Sequence, residues 1–222
     1  MKGKQMNKIK DTALYFGCPI KRWKASSQFV KRINKFCDPY IKDARELSKY
    51  AIKERNKIYK KDLKDFGMSH HSKSLTNDIN LVDLKNTIVD YSSKFLEDSG
   101  FNIDSHSLFF RECWVQEFAT KGGHHMPHIH SNNHVCGFLF LKCTDDTSRV
   151  VFHDPRPGAL MSRLPEKDPD KITPASFAFN FRPKPGEFIM FPAYLLHEFT
   201  IDHGIDPFRF IHWNIQFIPH HA

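Results

Sequence analysis

The strongest constraint on the fold is the texture of the chain after Asn102. From there on, short runs of β-branched and aromatic residues alternate with clusters of Pro, Gly and Asp. Runs of that length and composition read as strands. Strands are expected over 108–118, 135–142, 149–152, 176–181, 188–191, 196–201 and 208–218, a number that suits an antiparallel sandwich, barrel or jelly roll. The 154–174 stretch between two of them is long and Pro-rich, and a connection of that kind is usually functional or mobile.

The first half of the chain has a different period. Phe29, Ile33, Phe36 and Tyr40, then Ala44, Leu47, Ala51 and Ile58, recur mostly three to four residues apart among Lys and Arg, which predicts a helix with a break or kink near Pro39. A polar stretch over 67–77 follows. A second helix is expected through Leu81, Leu84, Ile88, Tyr91 and Phe95, with Asn77 or Asp78 as N-cap and Gly100 just past its end. The expected division is a basic helical extension over 1–105 and a β domain over 106–222.

Charge follows the same division. Residues 1–65 hold 19 Lys and Arg against 7 Asp and Glu, while the rest of the 222-residue chain holds 14 against 18. The basic excess therefore belongs to one end, and residues 1–65 are a candidate polyanion-binding surface. A hydrophobic share of 40% with 21 Phe excludes global disorder. No run reaches the length of a membrane span, and no signal-peptide core follows Lys2, Lys4, Lys8 and Lys10. Five cysteines without a C-x-x-C pair argue against a disulfide framework or a Cys-rich zinc site. A soluble, cytoplasmic protein without membrane association is expected, in the host cytoplasm if the source is viral.

Histidine is the unusual residue. Twelve of the 14 lie after residue 105, and six crowd between His124 and His153. Within Met126-Pro127-His128-Ile129-His130, His128 and His130 are two apart, so an extended backbone turns both imidazoles to one side. His197, far along the chain but within reach in a folded sheet, is the candidate third ligand. Three neutral imidazoles with open coordination positions suit a catalytic divalent metal. A lone H-x-H is more often a surface or hydrogen-bonded pair, so the later motifs carry the case.

Those motifs, in order, are Trp114-x-Gln116, Pro127-His128-x-His130, Gly137-Phe138-Leu139-Phe140, Phe152-His153-Asp154-Pro155-Arg156, Pro185-Gly186, Phe191-Pro192, His197, and Arg209 with Asn214. Their order and spacing resemble the iron(II)- and 2-oxoglutarate-dependent oxygenases, and more narrowly those common in phage and marine bacterial genomes, distant relatives of prolyl 4-hydroxylases. The resemblance covers about half the chain. It implies a double-stranded β-helix, a cupin-like jelly roll, in a mainly β protein with N-terminal helices. It further implies Fe(II) held by His128, His130 and His197, with 2-oxoglutarate as cosubstrate. The implied reaction is hydroxylation of an unactivated C–H bond with release of succinate and CO2. By the same resemblance Arg209 pairs with the far carboxylate of 2-oxoglutarate, which is chemically apt for a bidentate guanidinium.

Two departures from the family pattern matter. The middle ligand is usually a carboxylate, and here His130 stands in its place, so either His130 ligates or a carboxylate such as Asp154 does. The residue two beyond the arginine is often a hydroxyl, and here it is Ile211. Period two places Arg209, Ile211 and Trp213 on one face, so Trp213 rather than Asn214 is expected beside the cosubstrate, with Gln116 as a further hydrogen-bonding residue and Trp114 as core. His134, His153 and Arg156 are candidate substrate contacts. His124 and His125 follow a Gly pair and are expected on a rim; His220 and His221 lie at a terminus.

Two rival readings come from other classes. One is a non-oxygenase cupin-type metal enzyme such as an isomerase, or a metal-binding module, whose motif would want a Glu where His134 and Val135 stand. The other is a nucleic-acid-binding protein acting through the basic region, although no helix-turn-helix or zinc-finger pattern accompanies it. The primary substrate is left open among protein side chain, nucleobase and small metabolite, and so is the oligomeric state.

Overall fold

A computed structural model describes residues 16–220. In chain order its elements are β1 (Lys21–Lys24), α1 (Ser27–Tyr59), β2 (Ser69–His71), a 3-10 turn (Ile79–Leu81), α2 (Val82–Asp98), β3 (His106–Phe118) and β4 (His125–His128). There follow β5 (Val135–Lys142), β6 (Val150–His153), the short α3 (Pro157–Met161), β7 (Ala178–Phe181), β8 (Glu187–Pro192), β9 (His197–Phe199) and β10 (Phe208–Pro219). The strands form two antiparallel sheets, one ordered β1-β8-β5-β10-β3-β2 and the other β4-β9-β6-β7. This is the jelly-roll arrangement, a double-stranded β-helix flanked by N-terminal helices. No helix of the described residues is long and apolar enough to cross a membrane.

The two helices form as their sequence dictates. Ser26 caps α1 by accepting from the Phe29 amide, and Val30, Ile33, Cys37, Ile41 and Ala44 make the buried stripe. The helix runs through Pro39 without the expected break. Beyond Ala44 its apolar residues do not bury: Leu47 and Ile58 stay open to solvent. Asp78 caps the turn that leads into α2, and Gly100 beyond α2 takes a φ of +88°, the left-handed value that a helix exit favours.

The helices pack on one face of the six-stranded sheet. That face carries Cys113, Val115, Leu139, Met190, Ile211, Trp213 and Ile215, which share a core with the α1 and α2 stripes. The other face meets the four-stranded sheet across a second core of aromatic rings, among them Phe118, Phe138, Phe140, Phe191, Phe199, Phe208 and Phe210. Strands buried on both faces carry near-continuous apolar runs, as β5 and β10 do.

Register then sets what lies inside the roll. Across β3, β10 and β5, the inward rows are Asn214 and Cys136 with the solvent-exposed Glu112 at their edge, then Trp114, His212 and Phe138, then Gln116, Phe210 and Phe140. The outward rows pair Cys113, Trp213 and Gly137, then Val115, Ile211 and Leu139. Arg209 therefore opens on the helix side, opposite to the expectation. β1, β2 and β4 are additions that the sequence texture did not suggest.

Candidate metal centre

β4 and β9 bring the histidines together. They pair antiparallel with His128 directly opposite His197, and the His130 amide, two residues on, bonds the Ala193 carbonyl at 2.9 Å. One ligand atom from each of His128, His130 and His197 lies within 4.8 Å of the others. Ring centroids are 4.4 Å apart for His128 and His197, 5.0 Å for His128 and His130, and 5.2 Å for His130 and His197.

The hydrogen bonds behind the rings bear on whether a metal fits. Nδ1–H of His197 donates to the Leu195 carbonyl at 2.9 Å, and Nδ1–H of His128 donates to the Met126 carbonyl at 2.7 Å. Each of these rings therefore directs an Nε2 lone pair at the cluster. Nε2 of His197 and Nε2 of His130 are buried without any partner, an arrangement that costs free energy unless something is bound there. Burial pushes His197 down to about 3 and His130 to about 4, and charge on the neighbouring histidines acts in the same direction. At neutral pH both are the neutral imidazoles that a divalent ion requires. The donor set fits iron.

Around the three rings stand His212, which the sequence reading left without a role, and His125, which packs inward and not on the expected rim. His212, fully buried, stacks on His130 with centroids 4.6 Å apart and touches Trp114 and Phe138. His125 lies against His128 and bonds Gln116, whose amide also reaches Ser69. Burial pushes His125 to about 4, and it lowers His212 well below the usual range. The signal that would have found His212 and Asn214 is the correct parity of β10.

The remaining candidates divide. Gln116 is on the histidine side. Trp213 and Arg209 are not: Trp213 is sealed in the helix-side core, and the Arg209 guanidinium is taken up by Glu117, Asp38 and Asn34. Arg209 is thus misplaced for the cosubstrate carboxylate, because β10 presents even-numbered residues to the interior. Asp154 is not with the histidines either. Both of its oxygens are held by the Arg156 guanidinium at 2.8 Å, which lowers its pKa. His153 and Arg156 line a cleft of about 270 Å³ with Phe152, Phe179 and Leu195, and His153 bonds Glu198 at 3.1 Å. His134 accepts from the Phe217 amide, away from the cluster, and His124 lies exposed. His221 and residues 1–15, with their lysines, lie outside the described residues. Several α1 cations are paired within the fold, among them Arg32 with Asp83 and Arg45 with Asp65 and Glu117.

Comparison with known proteins agrees with the motif order. Residues 112–207 match the model of the family described as "Putative 2OG-Fe(II) oxygenase". No curated protein matches the chain in sequence. Among solved structures, a Pseudomonas putida prolyl-4-hydroxylase is similar at 10% identity and a TM-score of 0.52, over 89% of this chain and 92% of that one. The non-heme alpha ketoglutarate dependent epimerase SnoN from nogalamycin biosynthesis is similar at 10% identity and a TM-score of 0.52, over 89% and 78%. A 2OG-Fe(II) oxygenase family oxidoreductase from Burkholderia pseudomallei matches at 14% identity and a TM-score of 0.45, over 64% of this chain and only 60% of its own length. The family match indicates a 2-oxoglutarate-dependent oxygenase, an oxidoreductase, with Fe(II) and 2-oxoglutarate as its cofactor pair.

Proposed function

We propose that this chain hydroxylates an unactivated C–H bond of an organic substrate, with iron held at the cluster of His128, His130 and His197. The observation that carries the reading is the convergence of three imidazoles, two of them with buried and unpartnered Nε2 atoms, between the two sheets of a jelly roll whose sequence matches the oxygenase family. When bound, iron and 2-oxoglutarate supply the oxidative decarboxylation that yields succinate and CO2 and provides the oxidising power. Everything else is the work of the chain. Phe138, Phe199 and Phe210 wall the histidines on the deep side and exclude water. Gln116 and Ser69 offer neutral polar contacts for the cosubstrate; Arg209 does not fit that role.

The cleft beside His153 and Arg156 is the proposed substrate entrance. It abuts the cluster through Leu195, whose carbonyl orients His197, and through Phe152, 6.1 Å from the His197 ring. Its size suits a side chain or a small metabolite and is small for a nucleotide. The fold does not dictate the outcome at carbon, since its neighbours include a hydroxylase and an epimerase.

Purification without oxygen, loading with Fe(II) and admission of oxygen with 2-oxoglutarate test the reading. Succinate should form in wild type and not in His128→Ala or His197→Ala. If wild type binds neither Fe(II) nor 2-oxoglutarate, the reading fails.

A further inference from the structure

Asn214 lies directly across from Glu112 on β3 and Cys136 on β5, in the inward row beside His130. It is fully buried, and its amide is saturated. Oδ1 accepts from the Cys136 thiol at 2.8 Å and from Nε2–H of His212 at 3.1 Å. Nδ2 donates to Glu112 Oε2 and to Nδ1 of His130, the latter at 3.1 Å.

Which end of an amide points where has to be settled by its partners. A neutral imidazole can donate or accept, and a thiol does either weakly, so His130, His212 and Cys136 leave the choice open. Glu112 does not. Its solvent-facing carboxylate accepts only, so the amide nitrogen must face it. The second N–H of that nitrogen then points at Nδ1 of His130. Nδ1 receives a proton and cannot carry one, which puts the His130 hydrogen on Nε2, the buried atom that faces the cluster without a partner.

We propose that Asn214, oriented by Glu112, is a positioning residue that holds His130 as its Nε2–H tautomer. His130 then becomes the third ligand only when the Asn214 amide turns over. The inference rests on the metal-centre reading above. A ligating imidazole presents a lone pair to the metal and donates its other N–H to an acceptor. His128 and His197 already do so through the Met126 and Leu195 carbonyls, whereas His130 alone faces a donor at that position. Two ligands are preset and the third is restrained.

Long-range 1H–15N spectra of the metal-free protein read the tautomers directly. Nε2–H is expected for His130, and Nδ1–H for His128 and His197. Glu112→Gln, on the surface, removes the obligate acceptor, so His130 should move toward Nδ1–H and Co(II), titrated alone, should bind about tenfold tighter. Asn214→Asp, which can only accept, should shift the His130 tautomer in the same direction. Nδ1–H at His130 in wild type overturns the proposal, as does Glu112→Gln with unchanged tautomer and cobalt affinity. His197→Ala separates the two readings. If it binds Co(II) as wild type does, the metal-centre reading falls; if it loses Co(II) while Glu112→Gln changes nothing, only the role of Asn214 falls.

Discussion

The guanidinium of Arg209 and the carboxylate of Glu117 meet at 2.6 Å as cross-strand neighbours on β10 and β3, both sealed from solvent on the helix side of the sheet. Arg45 takes the other Glu117 oxygen at 2.7 Å, and Asp38 on α1 takes Arg209 at 2.6 Å, so the cluster bolts α1 to the sheet.

Arg209→Ala is accordingly expected to act on stability. Removing Arg209 leaves Glu117 Oε2 without a partner in the interior while Arg45 keeps Oε1, so the loss is expected below the roughly 3–5 kcal/mol of a wholly stranded buried charge. Adding Glu117→Gln should recover part of that loss, because it removes a buried charge left with Arg45 alone, and Arg45 keeps Asp65. Urea unfolding of the single and double variants reads this. A folded Arg209→Ala protein of wild-type stability whose 2-oxoglutarate binding alone is lost would restore Arg209 to the cosubstrate site.

Asp154 is an equally clear case of a carboxylate that is already spent. Its two oxygens bind the Arg156 side chain, and one also accepts the Arg156 amide at 3.0 Å. Asp154→Asn should leave Co(II) affinity within about twofold, since the metal donors are elsewhere. It should raise proteolytic sensitivity over 154–174, where the pair ties down the loop. A large loss of cobalt binding would return Asp154 to the ligand set.

The buried histidines set a pH dependence whose sign can be worked out. His125, His130 and His197 hold pKa values of about 4, 4 and 3 when folded, below the ordinary 6.5. Above about pH 7 both folded and unfolded chains are neutral there and no difference arises. Between about 6.5 and 4 the unfolded chain takes up protons that the folded one refuses, so stability falls as pH falls, by roughly 1.4 kcal/mol per pH unit for each such histidine once it is protonated in the unfolded state. Carboxylates with lowered pKa, such as Asp154, add a loss of the same sign only at lower pH. Urea midpoints of chelator-treated protein at pH 7.5 and 5.0 should differ accordingly. Equal midpoints would show that these rings are not buried in the neutral form.

How much of this was legible depends on how each element buries its residues. β5 spans the range its apolar run predicts, and Asp78 and Gly100 bracket the second helix because caps are local chemistry. β1, β2 and β4 are short and rich in Lys, Ser and His, with no apolar run to betray them. β10 is the instructive failure. Phe208, Arg209, Phe210, Ile211, His212 and Trp213 are all buried, so no alternation between apolar and polar residues marks its faces. A parity taken from Arg209 puts every other side chain of the strand on the wrong face. That single inversion hid His212 and Asn214 and gave Arg209 and Trp213 roles they do not hold, whereas His128, His130 and His197 depended on no such choice.

Gly137 joins the helix-side core to the histidines. Gly137 on β5 lies opposite Trp213 on β10, and a Cβ placed there would sit 2.3 Å from Trp213 Cζ2 and 2.4 Å from the Ile189 carbonyl oxygen. The carbonyl belongs to the β8 ladder and the indole is fully buried, so neither yields cheaply. Gly137→Ala should therefore cost about 3 kcal/mol or more. The strain has one outlet that matters for the site. Cys136, which donates to Asn214, and Phe138, which touches His197 and His212, are the residues on either side of Gly137. A shift of β5 there moves the packing behind His130 and His197 together. Thermal unfolding should show the loss of stability, and Co(II) titration of the protein that remains folded should show weaker binding. A Gly137→Ala protein that melts and binds cobalt as wild type does would mean that β5 and β10 can part at this point without disturbing the metal centre.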